Sequence, residues 1–305
     1  FKPYIFKSED RGNSWKSISN NLPKRGSVYS IEEDHMDNNL IFCGTEFGVF
    51  FSPNKGDRWK KLGNGLPTIA VRDIAIQRRE SDLVLGTFGR GFYVMDDYSP
   101  LRNIENSTIE AKAEIYSIRD ALMWEKALPL GLPGKAFQGD QFYSADNLDP
   151  VAIISYYYSD SYKSIKDNRQ KKEKEQIKSE DDAPYPSYDE LYAEVNEEKP
   201  NLIFTIKNAS GKTIKKVFKK PSKGLQRFHW NLRYEENSPI NLSSSSFYNP
   251  FAGVSEGTLI EPGVYTIELD LYDEGSITNL VSPVSFNVEA LDNTVMPAED
   301  RAAKV

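Results

Sequence analysis

Cysteine and histidine are scarce in this 305-residue chain, and their scarcity excludes several kinds of site. The single cysteine, Cys43, cannot form an intrachain disulfide, and its place in an apolar segment predicts a buried structural thiol. Two histidines, His35 and His229, are too few for a multi-histidine zinc site, and no metal or other cofactor is predicted. No apolar run approaches the length of about 18 residues that a membrane span needs, so no span is predicted.

The motifs of nucleotide binding and of nucleophilic catalysis are absent as well. The sequence has no nucleophile elbow, no P-loop and no Rossmann glycine fingerprint. Glycosidase chemistry needs two carboxylates about 5–9.5 Å apart, whereas the neighbours Asp96 and Asp97 would face opposite sides of a strand. Asp34 and Asp37, beside His35, are predicted to lie in an inter-strand turn with solvated carboxylates. No catalytic constellation is predicted within this chain, which leaves open whether it belongs to an enzyme.

The charge balance is acidic, with a net charge of −7 and a pI near 5.2. This balance argues against a general nucleic-acid-binding surface. Seventeen tyrosines and sixteen phenylalanines suit a β-rich core, and they suit carbohydrate stacking equally well.

A turn motif that occurs twice, 44 residues apart, is the most informative pattern present. Residues 8–15 and 52–59 both follow Ser-x-Asp/Asn-x-Gly-x-x-Trp, and Leu-Pro follows each of them. In a tight strand-to-strand turn the Asp or Asn accepts backbone N–H bonds, Gly takes a positive φ and Trp fills an apolar layer. We call these turns the first corner (Ser8, Asp10, Gly12 and Trp15) and the second corner (Ser52, Asn54, Gly56 and Trp59). Their spacing falls within the period of about 40–50 residues of a β-propeller blade.

The repeat extends beyond the corners in a weaker form. Residues 28–31 correspond to residues 71–74, and residues 44–48 correspond to residues 86–89. Apolar runs at residues 40–43 and 83–85 predict buried blade strands. A third corner is missing, and the exit sequence at residues 89–102 stands in its place.

The corner motif resembles the Asp box of the BNR-repeat β-propellers, which sialidases, xyloglucanase-like enzymes and sortilin-type (Vps10) receptors share. The second corner departs from that family with Asn54 in place of Asp, an exchange that keeps the acceptor oxygen. The exit sequence resembles the last blade of a bacterial subgroup of large secreted proteins, often labelled glycosyl hydrolase or sortilin-like. The resemblance implies an all-β fold, a secreted, periplasmic or cell-surface location, and corners that serve the fold rather than catalysis.

Residues 1–104 supply little more than two blades, whereas a closed propeller needs about 4–8. We therefore expect them to be the C-terminal blades of an incomplete propeller, completed by upstream blades of the same protein or by another chain. Residues 105–150 are expected to be a transition segment, in which residues 111–124 form either one strand or a short helix.

Short strands with one buried face predict a second β domain at residues 151–292, followed by a tail at residues 293–305. Six or so strands of this kind indicate an immunoglobulin-like or fibronectin-III-like sandwich. Trp-x-Leu-Arg at 230–233 and Pro-Gly-x-Tyr at 262–265 resemble the terminal sandwich of the same bacterial family. Tyr265 is expected to pack with its hydroxyl bonded to a loop, and His229 is expected to be a satisfied structural histidine.

A charged insertion at residues 161–200 interrupts this sandwich. Its basic and acidic halves predict two paired antiparallel helices, with Ser187 and Glu190 as the capping box of the second helix. The insertion is either a partner-binding arm or a solvated helical excursion.

Gly89-Arg90-Gly91 is the best candidate binding feature, because flanking glycines let a cation lie close to the backbone, where it can face a carboxylate ligand. The alternative is that this tripeptide only closes the last blade. Two functional hypotheses follow from these observations. The chain is either a non-catalytic portion of a secreted or cell-surface propeller protein that binds a protein partner or a glycan, or the accessory end of a glycoside hydrolase whose catalytic carboxylates lie upstream.

Overall fold

A computed structural model describes residues 1–63, 65–104, 111–124, 149–179, 184–237, 239, 242 and 256–291. The fold is all-β, as predicted, with blade-like sheets followed by a β-sandwich that carries a helical insertion. The chain divides into two compact units, Phe1–Ala111 and Lys112–Val305.

The first unit consists of antiparallel strands joined in sequence order. A two-stranded ribbon, β1–β2, carries the first corner, and a four-stranded sheet in the order β3-β4-β5-β6 carries the second corner between β5 and β6. A three-stranded sheet, β7-β8-β9, and a 3-10 helix at Ser99–Asn103 follow. The strands are β1 (Phe6–Lys7), β2 (Lys16–Ser17), β3 (Val28–Glu33), β4 (Ile41–Thr45), β5 (Gly48–Ser52), β6 (Lys60–Leu62), β7 (Val71–Gln77), β8 (Asp82–Thr87) and β9 (Phe92–Met95).

The apolar runs lie where the sequence pattern predicts them. Every residue of β4 and β5 is buried, and Leu83 and Leu85 are buried on β8. Cys43 is fully buried on β4, which confirms the prediction of a structural thiol. Burial raises the pKa of this thiol to about 12, so it stays protonated and unreactive in the folded chain.

The core around the second corner draws on both repeats. Trp59 packs in one cluster with Ile5, Ile18, Leu22 and Phe50, together with Ile41 and Cys43. Ile18 and Leu22 follow the first corner in sequence, so the end of one repeat covers the corner of the next.

The second unit is a sandwich of a three-stranded sheet, β10-β12-β15, and a five-stranded sheet, β11-β17-β16-β13-β14. Its pairs are antiparallel except for the parallel pair β11–β17. The strands are β10 (Ala113–Ile115), β11 (Ala121–Met123), β12 (Ala152–Tyr158), β13 (Asn201–Asn208), β14 (Thr213–Lys219), β15 (Gly224–Trp230), β16 (Gly263–Asp273) and β17 (Ser276–Ala290).

Aromatic side chains fill the interior of this sandwich. Trp230 is in edge contact with Tyr265 and Phe286, with ring centroids 5.7 and 6.2 Å away. The hydroxyl of Tyr265 donates to the carbonyl of Glu261 at 2.7 Å, which confirms the predicted bond from this tyrosine to a loop. The prediction for His229 is wrong: Phe228 and Trp230 point inward, so the histidine between them lies on the exposed face of β15.

Part of the expected transition segment pairs with the sandwich. Ala113–Ile115 adds an edge strand beside β12, and Ala121–Met123 adds one beside β17. Residues 111–124 therefore contain two short strands, where the sequence left one strand or a helix open. The central part of that segment, the polar excursion at residues 241–255, apart from Leu242, and the tail at 293–305 lie outside the described residues.

The described part of the insertion contains two helices, α1 (Ile165–Lys178) and α2 (Tyr188–Val195). Ser187 and Glu190 form the predicted capping box, and Ser164 and Asp167 form a second one at the start of α1. Arg169 pairs with Glu194, which places the start of α1 beside the end of α2, as in an antiparallel pair. Neither of these two described helices combines the length and the apolar character that crossing a membrane would require.

Candidate functional site

The two corners have the same backbone conformation and share the hydrogen bonds from backbone amides to their corresponding side chains. In the first, Arg11 and Gly12 have φ angles of 58° and 90°; in the second, Lys55 and Gly56 have φ angles of 57° and 89°. The Gly12 amide donates to the Ser8 hydroxyl at 2.7 Å, and the Gly56 amide donates to the Ser52 hydroxyl at 2.8 Å.

The Asp and the Asn of the two corners serve the same purpose. Oδ1 of Asp10 accepts the amide of Ser14 at 2.8 Å, and Oδ1 of Asn54 accepts the amide of Arg58 at 2.9 Å. The exchange of Asp for Asn therefore leaves the turn intact. Hydrogen bonds from the Ser14 hydroxyl and amide and from the Ser8 hydroxyl lower the pKa of Asp10 to about 2.

A buried ion pair joins the β3–β4 turn to the 3-10 helix that follows β9. Arg102 donates from Nε to Oδ2 of Asp34 at 2.7 Å and from Nη2 to Oδ1 at 2.9 Å. The Tyr98 hydroxyl also donates to Oδ1 of Asp34, and the Asp37 amide donates to Oδ2 at 2.8 Å. The prediction that the Asp34 carboxylate is solvated is wrong, because its cation and its phenol come from a segment distant in sequence.

The protonation of this cluster is fixed by its contacts. Burial acts to raise the pKa of Asp34, but the hydrogen bonds from Arg102, Tyr98 and the Asp37 amide outweigh it and lower the pKa to about 2. Burial and the bond to Asp34 raise the pKa of Tyr98, and the bond to Asp34 raises the pKa of Arg102. A permanently charged, fully bonded carboxylate of this kind stabilises a fold and is a poor general acid or base.

Two β-bulges place exposed side chains at equivalent points of the two blade sheets. The β3–β4 pairing skips Tyr29, between Val28 and Ser30, and the β7–β8 pairing skips Arg72, between Val71 and Asp73. These are corresponding positions of the repeat, so the blade repeat includes the bulge itself. Bulges re-aim side chains and are frequent near binding sites.

A glycine lies opposite each bulge, and the one at the first bulge permits a close approach of neighbouring strands. A Cβ atom on Gly44 would lie 2.5 Å from the Ser30 hydroxyl and 2.7 Å from the Val71 carbonyl. The lack of a side chain at Gly44 on β4 thus leaves room for Ser30 of β3 and for the backbone of β7. Its counterpart, Gly86, pairs with Asp73 at the second bulge.

The bulged residues meet in an arginine–aromatic platform, which we define as Tyr29, Arg72 and Phe88. The guanidinium carbon of Arg72 lies 3.9 Å from the centroid of the Tyr29 ring and 5.3 Å from that of Phe88. Cation–π contacts of this kind are worth about 0.5–1 kcal/mol each at exposed sites. All three residues are exposed, with Phe88 exposed by 67%. Among the described ion pairs, none joins a carboxylate to the exposed Arg72.

The predicted binding residue Arg90 lies next to this platform in sequence, at the tip of the β8–β9 turn. Gly89 and Gly91 have φ angles of 77° and 67°, and Arg90 between them is exposed. The Thr87 hydroxyl donates to the Gly91 carbonyl at 2.6 Å, as the Thr45 hydroxyl does to the Gly48 carbonyl at 2.8 Å in the preceding blade. Both blades thus close this turn with a Thr hydroxyl bonded to a Gly carbonyl, but the second turn is one residue longer and presents Arg90 to solvent.

Sequence reasoning missed the platform because its three residues are separated in the chain and belong to no known motif. The signal that was available is the correspondence of residues 28–31 with 71–74, which aligns Tyr29 with Arg72. Among the described residues no group of three or more His, Cys, Asp or Glu side chains is arranged to hold a metal ion. A groove of about 560 Å³ lies between the corners, lined in part by Lys7, Lys16 and Lys55.

No protein-family model matches this sequence. No curated protein matches it either. Solved structures similar to the chain include the extracellular domain of a putative one-component system from B. thetaiotaomicron, 12% identical over 95% of this chain, with a TM-score of 0.26. Another is the extracellular domain of a putative hybrid two-component system from the same organism, 9% identical over 93% of this chain, with a TM-score of 0.26. This chain spans 29% of the length of each of those two chains.

Proposed function

We propose that this chain is a non-catalytic binding portion of a secreted or cell-surface propeller protein, and that the arginine–aromatic platform contacts a protein partner. The observation that carries the proposal is the exposed stack of Arg72 on Tyr29 and Phe88, built on two equivalent bulges. The extracellular location rests on the resemblance of the corners and of the last blade to Asp-box proteins of that kind.

The chemistry of the platform favours a protein surface with a carboxylate beside apolar side chains. Tyrosine, phenylalanine and arginine are enriched in protein–protein interfaces, and arginine and tyrosine are frequent among the residues that carry most of the binding energy. Arg72 offers a planar donor edge that matches a carboxylate, and the rings beside it offer apolar area. The exposed side chains of Phe92 and Val94 on β9 extend the apolar surface of the same sheet.

Two buried blade carboxylates, Asp34 and Asp97, are engaged in structural contacts, in line with a non-catalytic role for this chain. Asp34 is held by Arg102, and Asp97 accepts the hydroxyl of Ser99 at 2.5 Å. Both also accept a backbone amide just after a blade strand, Asp34 from Asp37 and Asp97 from Ser99, as structural carboxylates do. Arg90 is a second cation on the exposed turn and is proposed as an additional contact at the edge of the same surface.

A site-specific photocrosslinking side chain at position 88 tests the proposal in the full protein on its producing cells. We expect a discrete crosslinked protein partner that is lost when Arg72→Glu is added. The matched control carries the crosslinker at Phe218, which is 60% exposed on β14 of the second unit. Binding to a glycan array through Arg72, with no protein crosslinked at position 88, would contradict the proposal.

A further inference from the structure

The first repeat has an exposed aromatic face, whereas the equivalent face of the second repeat is buried. Trp15 is 64% exposed and Phe6 is 54% exposed, whereas their counterparts 44 residues later, Trp59 and Phe50, are 3% and 6% exposed. In the β1–β2 ribbon Phe6 pairs with Ser17, which puts Phe6 and Trp15 on the same face. Tyr4, 66% exposed and stacked on Phe6 at 6.5 Å, extends that face.

The second corner shows what covers such a face. Trp59 donates from its indole nitrogen to the Ile18 carbonyl at 2.6 Å. Asn21 clamps the Trp59 backbone with two bonds of 2.7 Å, accepting its amide and donating to its carbonyl. Ile18 and Leu22 pack in the same core cluster. We call residues 18–23 the cover segment.

The first corner has no such cover among the described residues. The Trp15 indole nitrogen donates instead to the Gly12 carbonyl of its own corner, at 3.2 Å. The two corners agree in φ angles and in the backbone amide bonds to their serine and to their Asp or Asn, so we attribute the difference to the neighbouring segment. A surface that is already an interface in one repeat is open in the other.

We propose that the aromatic face of Tyr4, Phe6 and Trp15 is a docking surface for one further corner repeat. That repeat presents a segment with the chemistry of the cover segment: a backbone carbonyl for the Trp15 indole, an Asn that clamps the Trp15 backbone, and branched aliphatic side chains. The inference goes beyond the proposed function, because it concerns assembly of the repeat array and uses no residue of the platform.

The chain's own sequence argues against a second copy as the occupant. The cover segment at residues 18–23 is already seated on the second corner. Its counterpart at residues 62–67 has Gly65 in the place of Asn21 and therefore lacks the clamp. This loss occurs where no third corner follows in the sequence, as expected if the Asn is kept only where there is a corner to cover.

Extension of the chain by its own repeat tests the inference. A copy of residues 1–44 fused before Phe1 keeps the period and places a new cover segment on Trp15. The signal of the original Trp15 is the difference between the fusion and the fusion with Trp15→Phe at that original position. We expect this difference signal to lose its acrylamide quenching and to shift to the blue. The same fusion with Asn21→Ala and Ile18→Ser in the added copy is expected to leave Trp15 quenchable.

A free peptide of residues 16–27 provides the second measurement if the fusion does not fold. Protection of Trp15 by this peptide, and loss of protection with Asn21→Ala in the peptide, supports the inference. Unchanged quenching of Trp15 in a folded fusion overturns it, as does failure of the free peptide where the fusion is unfolded. A concentration-dependent dimer of the unextended chain that buries Trp15 would also overturn it in favour of a second copy.

Discussion

The two corners have nearly the same internal geometry, but the tryptophan of the first is exposed and that of the second is buried. Each has a pair of residues with positive φ, a serine that accepts a glycine amide, and an Asp or Asn that accepts the amide four residues later. The second corner lies against the cover segment and the first does not. The comparison shows that the motif specifies a local turn by itself, whereas the burial of its tryptophan depends on the adjacent repeat.

Truncation of the two tryptophans should give the largest difference in stability between the two corners. We expect Trp59→Ala to lower the free energy of unfolding by about 3–5 kcal/mol, because a buried ring leaves a cavity. We expect Trp15→Ala to change it by about 0.5 kcal/mol or less, as for an exposed side chain. Urea unfolding followed by circular dichroism measures both variants, and equal losses would show that Trp15 is buried in solution.

Substitution of the corner glycines separates backbone strain from contact with the cover segment. Gly12→Ala and Gly56→Ala both place a Cβ at positive φ, which costs about 1–2 kcal/mol. At Gly56 the new Cβ would also lie 2.6 Å from Cδ1 of Ile18, and overpacking of this kind adds about 1–3 kcal/mol. Thermal unfolding should therefore show the larger loss of stability for Gly56→Ala. Similar losses for the two variants would mean that the Ile18 side chain moves aside at little cost.

Removal of the Asn21 clamp should weaken the cover without altering the second corner itself. We expect Asn21→Ala to cost about 1–3 kcal/mol, since the amide and carbonyl of Trp59 lose their partners. Acrylamide quenching of Trp59 should rise in parallel. The matched control is Asn20→Ala at the exposed neighbouring position, and an equal effect of the control would contradict the assignment.

Acid should affect the first corner and spare the second, because only the first contains a titratable acceptor. The pKa of Asp10 is lowered from 3.8 to about 2, so its hydrogen bonds contribute fully above pH 4 and are lost as the pH falls through about 2. We expect the Ser14 amide resonance to titrate with a midpoint near 2 and the Arg58 amide to show no such step. Asp10→Asn should abolish the Ser14 transition, and a midpoint near 4 would show that the bonds do not form.

Local patterns in the sequence were sufficient for features held by local contacts. The corners, the buried run that ends at Cys43, the capping box of Ser187 and Glu190 and the inward face of β15 all follow from spacing and residue type. Each depends on neighbours within one turn or one strand, where periodicity carries the information.

Features held by distant partners could not be predicted in this way. Asp34 looked like a solvated turn residue because Arg102 and Tyr98, which bury and neutralise it, lie in another strand connection. Tyr29 and Arg72 meet only after two sheets are packed together. The two short strands at residues 111–124 gain their identity from pairing with β12 and β17, and such pairing leaves little trace in a three-residue segment.

The buried thiol of Cys43 can report on local unfolding around β4. An alkylating reagent needs the thiolate, and neither the thiolate nor access to the sulfur exists while β4 lies between its neighbours. The rate of labelling therefore reports on local opening of that sheet. It measures the opening equilibrium when reclosing is faster than labelling, and the opening rate when labelling is faster. Stability around the second corner can accordingly be followed in dilute solution from the mass change during a labelling time course, with no engineered probe.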